Sequence, residues 1–160
     1  MEKKVHNFLV DWTVNFVKNK DAISKKIEQI ENGKDGFDLY VKYKDKEQYF
    51  IVLPKIADVD SIIKRIGDSA KSDASHFSIV TLNSKVNFEA MLKNWNMLAE
   101  FRLLNITFIN PFSGGDKKWG IYPYIHNKVC DESSLKSGLK AMFETVEQIE
   151  EQELAENIRG

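Results

Sequence analysis

The sequence predicts a three-layer α/β domain, in which a mixed sheet of about five strands carries helices on both faces. The spacing of apolar residues changes several times along the chain between the period of a helix and that of a strand. The strand expected at residues 49–53 is apolar at every position, as a central strand covered on each side would be. The chain has 160 residues, of which 42% are hydrophobic, which is enough for one core of ordinary size.

We expect a single globular domain over residues 1–150, followed by an acidic, frayed C-terminal tail at residues 151–160. The expected order of elements is α-β-β-α-β-α-β-β-α. No internal repeat divides the chain, and the few glycines and prolines leave little room for long linkers.

An amphipathic helix is predicted from about residue 5 to residue 31, as one helix or as two abutting ones. Its apolar positions recur at spacings of three, four and seven; they are Phe8, Trp12, Phe16, Ile23, Ile27 and Ile30. Asn32 and Gly33 then provide a stop signal.

The remaining elements follow from alternation, caps and turns. Strands are predicted at residues 38–43, 48–53, 76–82, 105–110 and 119–126. Helices are predicted after the cap Asp58, at residues 88–103, and after Asp131 or Ser133. The side chains expected to be largely buried are Trp12, Phe50, Ile51, Val52, Ile79, Leu92, Trp95 and Phe143.

The net charge of −1 hides an uneven distribution of charge along the chain. Residues 144–160 carry six acids and one base, so the rest of the chain has 22 basic and 18 acidic residues. This excess permits a polyanionic partner such as nucleic acid. No apolar run approaches the ~20 residues that a membrane helix needs, so we expect no membrane partner. Cys130 is the only cysteine, which excludes an intrachain disulfide and favours a reducing, cytoplasmic location.

Two residues point to phosphodiester chemistry. Asp38 begins one strand of the first hairpin, and Lys55 follows its partner strand. Metal-dependent hydrolysis of phosphodiesters needs carboxylates that hold Mg²⁺ and a lysine that stabilises charge at the phosphate. The segment over residues 5–82 resembles the PD-(D/E)xK, or restriction-endonuclease-like, family. The resemblance implies a catalytic site at Asp38 and Lys55, but Leu53 stands where that family has its second carboxylate.

A second candidate site is a group of aromatic and basic residues near the last predicted strand, namely Lys118, Trp119, Tyr122, Tyr124 and His126. Pro123 confines this strand to a sheet edge or a bulge, and alternation places Tyr122, Tyr124 and His126 on one face. Such a row could stack nucleic-acid bases. The alternative is an ordinary edge strand covered by the final helix.

Three functions follow from these observations. The first is a non-catalytic binding or assembly domain on a nuclease-like scaffold, which contacts nucleic acid or protein and needs no cofactor. The second is a Mg²⁺-dependent nuclease whose second carboxylate has moved to Glu28, Glu31 or Asp58. The third is a homodimerising protein without a ligand.

Overall fold

The computed structural model describes residues 2–70 and 73–159. The strands are β1 Ile27–Lys34, β2 Phe37–Tyr43, β3 Glu47–Val52, β4 Ser75–Leu82, β5 Leu104–Ile109 and β6 Lys118–Ile121. The helices are α1 Glu2–Lys20, α2 Val59–Ser69, α3 Lys85–Lys93, α4 Trp95–Leu98, α5 Pro123–Val129, α6 Glu132–Phe143 and α7 Glu151–Arg159. Within these residues no helix combines the length and apolarity needed to cross a membrane.

One open sheet contains all six strands in the order β1-β2-β3-β4-β5-β6. The first three form an antiparallel meander, β3, β4 and β5 are parallel, and β6 returns antiparallel to β5. Parallel neighbours require a crossover, which α2 provides between β3 and β4, and α3 with α4 between β4 and β5. The outer strands β1 and β6 form the two edges of the sheet, and the pairing of β1 contains a register shift near its start.

Alternate residues of the central strands point to opposite faces of the sheet and pack into two separate hydrophobic cores. Ile51 and Ile79 pack on the side that carries α2, α3, α4 and α6. Phe50 and Val80 pack on the opposite side, which carries α1 and α7. A sheet with an apolar core on each face confirms the predicted three-layer α/β class. Of the eight side chains expected in the core, Trp12 and Leu92 are only half-buried and the other six are buried.

The predicted helix over residues 5–31 is wrong in its second half. The helix α1 ends at Lys20, and the Asp21 carboxylate then accepts hydrogen bonds from the backbone amides of Lys26 and Ile27, at 2.9 and 3.0 Å. Lys25 adopts a positive φ of 49° in this turn. The turn reverses the chain into β1, so the sheet has six strands rather than about five.

The strand predicted at residues 119–126 is also wrong in its second half. β6 ends at Ile121 and does lie at a sheet edge. Pro123 is the first residue of α5, where its missing amide costs nothing and its fixed φ favours a helix.

Two further elements differ from expectation. The helix predicted at residues 88–103 is divided into α3 and α4 at Asn94, whose side-chain amide donates to the carbonyl of Ala90 at 2.8 Å. The C-terminal segment expected to fray forms α7 instead. Its Leu154 and Ala155 are buried against the core beside α1.

A buried amide side chain joins the end of β4 to distant parts of the chain. Asn83 is fully buried, and its Oδ1 accepts a hydrogen bond from the Trp119 indole at 2.7 Å. Its Nδ2 donates to the carbonyls of Phe143 and Val146, at 3.2 and 2.8 Å. This carboxamide therefore fixes β6 and the end of α6 to the centre of the sheet.

We predict that Asn83→Ala lowers the free energy of unfolding by about 2–4 kcal/mol, because it leaves a buried indole N–H and two carbonyls without partners. Urea denaturation would measure the loss. The matched control is Asn127→Ala, which removes the acceptor of the Trp95 indole from an exposed position where water can replace it. We expect the control to lose less than about 1 kcal/mol. Equal losses would contradict the structural role of Asn83.

Candidate functional site

Both oxygens of the Asp38 carboxylate are engaged by the chain itself. Oδ1 lies 2.8 Å from Nε2 of His6 on α1, and Oδ2 accepts a hydrogen bond from the Val52 amide at 2.7 Å. The backbone pairing of β2 with β3 ends at Leu39 and Phe50. The Asp38 side chain thus supplies the acceptor that the ladder no longer provides for Val52, and it joins α1 to the sheet.

Lys55 lies in the loop after β3 and is exposed. Asn87, a fully buried residue of α3, fixes the backbone on both sides of it. Its Nδ2 donates to the Pro54 carbonyl, and its Oδ1 accepts from the Ile56 amide, both at 2.9 Å. The position of Lys55 is therefore set by the start of α3.

Lys55 lines a groove of about 570 Å³ together with Glu150 and Glu151, which lie at the start of α7. Sequence reasoning did not select these two acids, because they are about 95 residues away from Lys55 along the chain. Asp38 is not among the residues that line this groove. Lys55 therefore shares a groove with Glu150, which precedes α7, and with Glu151, the first residue of α7, while Asp38 contacts His6 of α1.

The other acids considered as metal ligands are engaged elsewhere. Glu28 pairs with Lys42 at 3.9 Å and Glu31 with Lys34 at 3.4 Å, all on the edge formed by β1 and β2. Asp58 caps α2 by accepting from the Ser61 amide at 3.1 Å. In residues 2–70 and 73–159, no three His, Cys, Asp or Glu side chains form a group that could hold a metal ion.

The aromatic group near β6 does not form the predicted row. Trp119 is buried on the side of α6, and Tyr122, Tyr124 and His126 belong to the start and body of α5. On a helix Tyr124 points away from the face that Tyr122 and His126 share. The Lys128 ammonium lies 4.3 Å from the centre of the Tyr124 ring, and its hydrogen bond lowers the pKa of that hydroxyl.

A polar row that sequence reasoning missed crosses the α1 side of the sheet. Gln48 on β3 donates to the Ser78 hydroxyl on β4 at 2.7 Å, and that hydroxyl donates to Asn105 on β5. The Asn105 amide donates in turn to the Thr107 hydroxyl at 3.3 Å. A usable signal was present in the sequence, because polar residues alternate along strands that were expected to be covered on both faces.

Comparison with known proteins gives no relative for this chain. No family model matches it, and neither the curated proteins nor the solved structures contain a significant match.

We predict that Asp38→Ala lowers the free energy of unfolding by about 1–3 kcal/mol, because the Val52 amide loses its acceptor. Asp38→Asn should lose less than half as much, since its carboxamide keeps an acceptor for the Val52 amide and a polar group beside the His6 ring. Urea denaturation of both variants would measure this. An Asn variant as unstable as the Ala variant would show that the negative charge, rather than the hydrogen bond, is what the fold requires.

Proposed function

We propose that this chain is a cytoplasmic, non-catalytic domain that binds nucleic acid on a restriction-endonuclease-like scaffold. The observation that carries the proposal is that both carboxylate oxygens of Asp38 are already engaged within the chain. One contacts the His6 ring, and the other accepts a hydrogen bond from the Val52 amide. The position that would supply a second carboxylate is Leu53, which packs against the core.

The order of elements supports a nuclease-like scaffold. In the restriction-endonuclease-like family a strand usually precedes the strand that carries the Asp, and β1 lies in that place here. From α1 to β4 the chain forms a helix, three strands, a helix and a strand, with Asp38 in β2 and Lys55 just after β3. These positions agree with the resemblance on which the scaffold proposal depends.

The arrangement of acids argues against a catalytic magnesium site. Mg²⁺ holds its own hydration shell strongly and is bound in proteins through carboxylates together with substrate phosphates. Glu150 and Glu151 approach the groove of Lys55, but Asp38 does not line it. Among residues 2–70 and 73–159, these acids belong to no group of three side chains that could hold a metal ion.

The distribution of charge supports nucleic acid as the partner. Before residue 144 the chain has four more basic than acidic residues. Four lysines in this part of the chain lie close to aromatic rings, with ammonium-to-centroid distances of 4.0–5.0 Å. They are Lys34, Lys46, Lys118 and Lys128. Cations beside flat apolar rings are a combination that proteins use to bind single-stranded nucleic acid.

A homodimer is a second candidate, and one observation favours it. Tyr122, Ile125 and Val129 recur at helical spacing on α5, with 42%, 49% and 72% of their surfaces exposed. Such an apolar stripe on a helix is typical of a protein contact. This candidate predicts that the chain sediments as a dimer and that Ile125→Glu converts it to a monomer, whereas Glu substituted for Ile23, an isolated residue that is 97% exposed, does not.

For the first candidate we predict that the purified protein does not cleave single- or double-stranded DNA in the presence of Mg²⁺ or Mn²⁺. The physical reason is that the described residues contain no group of three His, Cys, Asp or Glu side chains that could hold the metal ion. Gel analysis of labelled DNA would test it. Cleavage that is lost in Asp38→Asn and kept in Asp60→Asn, an exposed acid of α2, would contradict the proposal.

A further inference from the structure

We propose that the α1 side of the sheet is a binding surface for a short single-stranded segment of nucleic acid. The surface, called here the polar platform, consists of Gln48, Ser78, Asn105, Thr107 and Gly120. The proposal rests on the proposed nucleic-acid-binding function and gives it a location that is distinct from Asp38 and Lys55.

The platform is a partly exposed region of a sheet whose other parts are covered. Gln48, Asn105 and Thr107 are half-buried and Gly120 is exposed, while Ser78 is buried beneath its neighbours. Phe50, Val80 and Ile109 lie on the same face and are buried under α1 and α7. Towards the amino ends of the parallel strands, this face carries amides and hydroxyls instead of apolar side chains. A parallel sheet normally has both faces covered, so a polar, half-exposed region on it requires a polar occupant or water.

The platform offers donors and acceptors in excess of its internal hydrogen bonds. In the chain from Gln48 to Thr107 each side chain donates to the next, which leaves the carbonyl oxygen of Gln48 and the hydroxyl hydrogen of Thr107 for a ligand. Gly120 continues the surface onto β6 and has no side chain that would cover it. A Cβ at this position would already lie 3.5 Å from the Thr107 hydroxyl. These groups can read the edges of exposed bases.

Aromatic side chains of α1 form a wall along one side of the platform. Phe8, Trp12 and Phe16 recur every four residues and are half-buried. Trp12 and Phe16 stack with ring centroids 5.5 Å apart, and Phe8 stacks on Phe112 at 5.7 Å. The parts of these half-buried rings that remain accessible can provide stacking partners for unpaired bases.

Positive charge lies at both ends of the platform. At the β6 end, the Lys118 ammonium is 5.0 Å from the centre of the Phe16 ring. At the β3 end, Gln48 borders a cavity of about 250 Å³ that is also lined by Lys20, Lys26 and Lys46.

Two acids share this cavity, Asp21 and Asp45. The Asp21 carboxylate already accepts from two backbone amides in the turn before β1. The cavity is therefore lined by three lysines and two carboxylates, and this excess of one positive charge suits a phosphate group.

The dimensions and chemistry favour a single strand over a duplex. The platform spans three strand spacings, or about 14 Å, which suits a few nucleotides. Bases within a duplex present only their edges in the grooves, so their flat faces cannot reach the aromatic wall.

Fluorescence anisotropy with labelled 15-nucleotide single strands, one of DNA and one of RNA, and with a matched duplex would test the proposal. We expect the wild-type chain to bind single strands more tightly than the duplex, with affinity that falls as salt rises. Gly120→Leu, which places a side chain over Asn105 and Thr107, should weaken binding by about tenfold or more. Lys118→Glu should weaken binding and reduce the salt slope.

The matched control is Lys140→Glu, which makes the same charge change at an exposed position of α6 on the opposite face. Circular dichroism would confirm that each variant is folded, and Lys118→Glu changes an exposed side chain only.

The outcomes separate this inference from the proposed function. If wild-type protein binds nucleic acid and both platform variants bind like Lys140→Glu, the platform is overturned and the proposed function stands. If the wild-type chain binds no nucleic acid, both are overturned. A preference for the duplex overturns the single-strand assignment, and a dimer that Gly120→Leu dissociates assigns this face to a second copy of the chain.

Discussion

The arrangement of the C-terminal half depends on the hydrogen bonds of the Asn83 carboxamide. Its side chain bonds to β6 and to the end of α6, and its backbone bonds to Ile109 and Ile149. The last of these contacts fixes the segment that leads into α7, and hence the acids that flank Lys55. Four residues further along the chain, the Asn87 side chain forms hydrogen bonds to the backbone on both sides of Lys55. Two buried side-chain amides thus connect the segments that meet at the end of the sheet. Because their polar atoms cannot reach water, the loss of any partner would leave a buried polar group without a hydrogen bond.

Much of the fold follows from local signals in the sequence. The strands β2 to β5 and the caps Asp58 and Asp131 lie within about one residue of their predicted positions, because alternation and capping act over short distances. The errors have physical causes. Ile23, Ile27 and Ile30 have the spacing of a helix, although they do not lie in one. The chain leaves the helical conformation after Lys20, because the Asp21 carboxylate accepts hydrogen bonds from the amides of the turn that follows. In the C-terminal segment over residues 151–160, three glutamates obscured the apolar stripe of α7.

The candidate sites were less predictable than the fold because they depend on contacts between distant segments. Asp38 and Lys55 were selected from a motif, but the motif does not reveal that Asp38 completes a sheet ladder or that α7 reaches Lys55. The predicted aromatic row failed because Pro123 was interpreted as a residue within an edge strand rather than as the start of a helix. The polar platform joins side chains from three strands, so only knowledge of the strand order brings them together.

The two outer strands determine how copies of this chain can meet. β1 carries Glu28, Glu31 and Lys34 along its length and an irregular pairing near Ile27, while β6 has four residues and is soon followed by a helix. Charged side chains, irregular pairing and short length are the means by which proteins prevent strands of different molecules from hydrogen-bonding to each other. Continuous growth of the sheet from molecule to molecule, as in a fibril, is therefore blocked at both ends. Any association between copies has to form through side chains, where specificity can be encoded residue by residue.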